Sequence, residues 1–138
     1  LGIFLSFYLQ ILLKNCRLIN RMDTMFEDLS NVGPSDLVIG ISFRRYTRQT
    51  VEGLSFAKEK SANTMAITDD NTSALVKHSD VVLLAKRDMS TFIDSFVAPL
   101  SLINALIVSV GMERPKQTRQ TLAELEAIWR KNHIYYDE

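Results

Sequence analysis

Apolar runs alternate with amphipathic stretches at short intervals, a pattern that predicts an α/β fold with helices packed on a parallel sheet. Residues 1–14 carry apolar side chains on every face of a helix. Ile3, Leu5 and Phe7 would also suit a strand, and the length of the run favours the helix. Residues 16–20 form a short strand candidate. Asp23 is placed to cap a helix through Asp28, Leu29 and Ser30, which the Gly33-Pro34 pair ends. Leu37–Ile41 is a continuous apolar run and reads as a strand buried on both faces. A polar loop, residues 42–47, leads into a helix on which Val51, Leu54 and Ala57 recur at one-turn spacing. Residues 64–68 are the next strand and residues 69–72 its loop. Ser73 can cap a short helix over 74–78, and residues 81–85 form another buried strand. Phe92, Phe96, Leu100, Ile103, Ile107 and Val110 trace one face of a long apolar helix. Pro99 would kink or break it and Gly111 would close it. Pro115 opens a final helix with Leu122, Leu125, Ile128 and Trp129 on one stripe. The whole reads as one doubly wound layer structure.

Size and charge narrow the picture. A chain of 138 residues suits one compact domain, and 46% hydrophobic with 23% charged residues excludes disorder and fibrous repeats. Its 16 basic and 16 acidic residues cancel, which argues against direct, non-specific nucleic-acid binding. Cys16 has no second cysteine to pair with and reads as a buried strand residue. One cysteine and two histidines, His78 and His133, argue against a zinc site, and no metal or cofactor is expected. The apolar start is too short for a membrane span of about 20 residues, and it lacks the basic start of a signal peptide. A soluble, cytoplasmic protein without membrane contact is the expectation. The chain opens on Leu1-Gly2 rather than Met, which reads as a domain cut from something longer.

In open parallel sheets ligands bind at the carboxyl ends of strands, and two loops qualify. Residues 42–50 join a strand end to a helix start, where free backbone N–H groups favour an anion. Ser42 and Thr47 add hydroxyls, and Arg44, Arg45 and Arg48 add guanidinium groups that match phosphate oxygens. The loop therefore reads as a phosphate site, with a solvated charged turn as the alternative. In the second loop, Asp69 and Asp70 could hold Mg²⁺ or act as acid and base, but such a cluster is more often turn chemistry with a helix cap, which is the reading preferred. His78 reads as structural and Trp129 as a packing or interface residue. Tyr135 and Tyr136 could cover a site or a partner.

Asp36 to Ser42 followed by Thr47 and Thr50, then Ala66-Ile67-Thr68-Asp69, then Ser79-Asp80-Val81-Val82-Leu83, resembles the sugar isomerase (SIS) domain. More narrowly, it looks like the C-terminal effector-binding domain of RpiR-type bacterial transcriptional regulators. The resemblance runs from about Leu1 to Leu106 and implies a flavodoxin-like, five-stranded parallel sheet that binds phosphorylated sugars. The family's phosphate loop usually reads S-x-S-G-x-T. Ser42 and Thr47 match its first serine and its threonine, while Arg44 and Arg45 stand where the second serine and the glycine would be. Losing the glycine limits how closely the backbone can wrap a phosphate. Arginines there could replace hydroxyl contacts, point away, or occlude the pocket. The ligand-binding residues expected are Ser42, Phe43, Arg44, Arg45 and Thr47, with no catalytic residues. The family's first strand would precede Leu1, which would leave a gap between residues 16–20 and Leu37–Ile41 unless another segment fills it. Residues 1–112 are read as the phosphosugar-binding domain, and residues 113–138 as a helix and tail packing on it or on a partner.

The function this implies is a ligand-sensing module, not an enzyme. A sugar phosphate effector would change the DNA affinity of a helix-turn-helix lying outside this chain. The alternative is a sugar-phosphate isomerase of the same fold, whose general base could be Glu52, His78 or His133. A purely structural assembly domain is a third reading. The apolar helices near the C-terminus suggest a homodimer or homotetramer.

Overall fold

The computed structural model describes residues 1–21, 23–86 and 95–136 of the chain. Its elements are α1 (Gly2–Leu13), α2 (Met25–Leu29), β1 (Leu37–Ile41), α3 (Arg48–Glu59), β2 (Asn63–Thr68) and a 3₁₀ turn (Val76–His78). β3 (Val81–Leu84), α4 (Val97–Glu113) and α5 (Pro115–Lys131) complete the order. The α/β class expected from the pattern is observed. β1, β2 and β3 form a parallel sheet in that order, with Gly40 opposite Ala66 and Ala66 opposite Val82.

Three strands are described, fewer than the five that the resemblance implies. Residues 16–20 are not a strand: they run as irregular chain after Lys14, which adopts φ 61°. A strand needs a hydrogen-bonded neighbour, and among the described residues β1 pairs with β2 alone. The same fact corrects two burial expectations. β1 and β3 are the outer strands of this sheet, so Leu37 is 51% exposed and Val81 46%, while only β2 is buried along most of its length. Apolar composition alone does not distinguish a central strand from an outer one.

The chain divides into two units. The first comprises Leu1–Gly2 and Leu18–Leu102. Its core is Leu54, Ala66 and Leu75, with Val38, Tyr46, Val51 and Val82 packed around them. Gly40 lets α3 lie this close to the sheet, since a Cβ there would stand 2.6 Å from Leu54 Cδ1. At the amino ends of the strands, Asp80 closes the crossover from β2 to β3. Its carboxylate accepts the Thr64 N–H and hydroxyl, both at 2.8 Å, and pairs with Lys58 Nζ at 3.1 Å.

The second unit comprises Ile3–Arg17 and Ile103–Glu138, and so holds nearly all of α1, most of α4, and α5. Ile103 is fully buried, the Thr118 hydroxyl donates to the Gly111 carbonyl at 2.9 Å, and Lys14 lies 4.0 Å from Glu124. Gly111 does not close α4, which runs on to Glu113. Pro99 falls in the first turn of α4, where its missing N–H has no intrahelical acceptor to lose, so it starts the helix instead of kinking it. Phe92, expected on that helix, lies outside the described residues. Asp23 does not cap α2: Thr24 holds the N-cap position, and Asp23 accepts instead from the Arg21 guanidinium at 3.0 Å. Among the described residues no single helix is long and apolar enough to cross a membrane.

Candidate functional site

The loop at the carboxyl end of β1 begins as a continuation of the ladder, with the Ser42 N–H donating to the Ile67 carbonyl at 3.2 Å. Ser42 is buried, and its Oγ accepts the Thr47 N–H at 3.0 Å. This contact folds residues 42–47 back on themselves and delivers the chain to the start of α3. Thr47 is the N-cap of α3 by position; its carbonyl accepts the Thr50 and Val51 amides, while its side chain makes no capping bond.

The side chains of the loop divide into two sets. Phe43 and Tyr46 turn inward: Phe43 is buried and meets Phe96 edge-on at 6.1 Å, and Tyr46 packs on the Leu54 core. Burial pushes the Tyr46 hydroxyl pKa up, and its hydrogen bond to the Asp69 carboxylate pushes it the same way. Arg44 and Arg45 face solvent. Arg45 has φ 68°, the left-handed region that an L side chain disfavours and glycine adopts freely. The position aligned with the family's glycine thus keeps a glycine-like backbone. Arg48 lies in the first turn of α3, where its Nε donates to Glu52 Oε1 at 2.6 Å one turn along the helix.

The second loop comes up beside the first. The Asp69 Oδ2 accepts the Arg44 N–H at 3.1 Å, joining the carboxyl ends of β1 and β2. Asp70 is turn chemistry, as one sequence reading had it: it accepts the Thr72 N–H at 2.7 Å and hydroxyl at 2.8 Å, and these bonds hold its carboxyl below the usual value. Ser73 Oγ accepts the Leu75 N–H at 3.3 Å, but Ser73 is not the cap expected of it: the helical turn covers Val76–His78 alone and Leu75 holds its N-cap position. Among the described residues no three histidine, cysteine or acidic side chains converge as a metal site.

The candidate bases are scattered. Glu52 is tied to Arg48. His78 lies three residues before β3, at the amino ends of the strands and so on the edge opposite the loop. Burial and the nearby Lys77 and Lys58 lower its pKa. His133 belongs to the second unit. Cys16 is half-buried in irregular chain, not in a strand, and burial raises its thiol pKa, away from a nucleophilic thiolate. Trp129 meets Tyr135 edge-on at 5.6 Å, within a mainly apolar groove of about 600 Å³ in the second unit that Phe7, Leu12, Met112 and Leu122 also line.

The family model of the SIS domain matches residues 1–109. The chain belongs to the SIS domain family. Over 88 residues this SIS domain is 30% identical to an uncharacterised HTH-type transcriptional regulator of Caldanaerobacter subterraneus subsp. tengcongensis, a match covering 61% of the chain and 31% of that protein. Over 101 residues it is 31% identical to the isomerizing glutamine–fructose-6-phosphate aminotransferase of Mycobacterium leprae, covering 68% of the chain and 16% of that enzyme. The chain therefore spans a third or less of these relatives. Among solved structures, the sugar isomerase domain of an RpiR transcription factor from Sphaerobacter thermophilus superposes with a TM-score of 0.82 at 31% identity, covering 91% of this chain and 71% of that one. The Vibrio vulnificus NanR protein, complexed with ManNAc-6P, shares the fold with a TM-score of 0.78 at 18% identity, covering 94% of this chain and 50% of that one.

Two features of the site were not read from the sequence. Asp69 stood out only as one of two adjacent carboxylates, and nothing in the spacing of 25 positions tied it to Arg44. The glycine-like turn at Arg45 was equally invisible, since arginine does not advertise a positive φ.

Proposed function

We propose that this SIS domain is the effector-sensing part of a bacterial, cytoplasmic transcriptional regulator. It binds a sugar phosphate at residues 42–47 and so modulates DNA binding by a helix-turn-helix elsewhere in the protein. The observation that carries this reading is the loop's form: Ser42 folds it onto Thr47, and Arg45 holds φ 68° at the family's glycine position. A turn kept at a steric cost, at a strand's carboxyl end and a helix start, fits an anion cradle better than a solvated turn. The regulator among the relatives and the RpiR domain among the structures support the sensing role, and NanR's ManNAc-6P supports a phosphosugar as the class of effector.

Ser42, Thr47, Arg44 and Arg45 are the contacts we assign. Phe43 supports the loop from beneath, because its side chain is buried against Phe96. Residues 1–112 form the sensing domain, and residues 113–138 pack on it or on a partner. The exposed apolar side chains of α4 and α5, among them Val108, Met112 and Ile128, support a homodimer or homotetramer.

The aminotransferase relative favours the second reading, a sugar-phosphate isomerase. Against it, Glu52 is ion-paired and His78 lies on the opposite sheet edge from the loop. Calorimetry with a panel of hexose and N-acetylhexosamine phosphates separates the readings. Saturable binding without turnover, weakened in Arg44→Ala or Arg45→Ala, is expected. Conversion of an aldose phosphate to a ketose phosphate would establish the enzyme instead.

A further inference from the structure

The Arg44 amide is one of the backbone donors that the loop offers an anion, and a carboxylate from the loop after β2 already holds it. Asp69 Oδ2 accepts that N–H at 3.1 Å. The other carboxylate oxygen is held too: the Thr68 hydroxyl, itself 2.9 Å from that of Ser73, lies 3.3 Å from Oδ1. One of these partners, Arg44, belongs to the loop read as the phosphate site. The carboxylate is therefore fixed against that loop by one of the loop's own donors.

We infer that Asp69 is a built-in competitor for the phosphate loop, holding the Arg44 amide until a phosphate monoester takes it. The inference rests on the reading of residues 42–47 as the phosphate site. A phosphate reaching that amide meets a fixed carboxylate, and two like charges a few ångströms apart repel even near water. Binding then requires the carboxylate to leave Arg44, which loosens the bridge between the β1 and β2 loops. Asp69 thus lowers the loop's affinity for phosphate and couples its occupation to the residues around Ser73.

Asp69→Asn keeps the size of the side chain and removes its charge; Asp69→Ser is a second neutral variant. Calorimetry on the full chain, with inorganic phosphate and with glucose 6-phosphate as probes, should show both variants binding each about fivefold more tightly than wild type. The Arg44 amide resonance should move on adding either probe to wild type, and should already be displaced in the variants. Unchanged or weaker affinity in both folded variants, while wild type binds at the loop, would overturn the competitor role and leave the loop reading intact. Probes that leave the resonances of residues 42–47 unmoved in wild type and variants alike would overturn both.

Discussion

Arg45 carries the sharpest residue-scale consequence. An arginine at φ 68° bears a steric cost of about 1 kcal/mol that glycine would not. Arg45→Gly is therefore expected to hold or slightly raise stability in urea denaturation, against the usual trend for glycine substitutions, while losing one guanidinium from the site. A loss of more than about 1 kcal/mol would show that the side chain is held by contacts that outweigh the strain. Asp80 gives the pH dependence. Hydrogen bonds from the Thr64 hydroxyl and N–H, then from Lys58, hold its pKa below the ordinary 3.8. A carboxyl lowered on folding contributes stability above its unfolded pKa, and that contribution is lost as pH falls through the folded value. Wild type should thus exceed Asp80→Asn in stability at neutral pH, and the gap should close in the acid range below 3.8. A gap that persists at pH 2 would assign the effect to packing.

At the scale of elements, β1 and α3 stand or fall together. Gly40→Ala drives a Cβ to within 2.6 Å of Leu54 Cδ1, in a core where Leu54 is 1% exposed. Thermal denaturation should register a loss of about 1–3 kcal/mol, the range for overpacking. Thr64→Val, at a fully buried position, removes the hydroxyl that Asp80 accepts from and should cost about 2 kcal/mol. The helices and strands around these residues were legible because period and length carry them: α3 follows from Val51, Leu54 and Ala57, and α5 from Leu122, Leu125 and Trp129. Residues 16–20 were misread because apolar composition permits a strand only where a neighbour supplies hydrogen bonds. The exposure of Leu37 and Val81 was hidden for the same reason. Within the site, the loop's place after β1 was legible, whereas the Arg44–Asp69 bridge depends on two loops meeting across the sheet, which no local pattern encodes.

At the scale of the whole molecule, the two units differ in make-up. The first holds the sheet and the loop proposed to bind phosphate. The second is helical and leaves apolar side chains in solvent, with Val108 59%, Met112 73% and Ile128 53% exposed. Static light scattering at micromolar concentration should report a dimer or tetramer, and Met112→Lys with Ile128→Lys should shift it toward monomer. A wild-type monomer across that range would contradict self-association through these helices. A regulator built on this domain would convert phosphosugar binding into a change in DNA affinity by a shift between assembled states. Zero net charge suits that division, because contact with DNA phosphates would fall to another part of the protein.

The central claim is that residues 42–47 bind a phosphosugar. Backbone amide shift mapping during titration with N-acetylmannosamine 6-phosphate or glucose 6-phosphate tests it most directly. Saturating shifts concentrated on Ser42 to Thr47 and the first turn of α3, much reduced in Arg44→Ala with Arg45→Ala, are the result predicted. Shifts confined to other surfaces, or none at millimolar ligand, would contradict it.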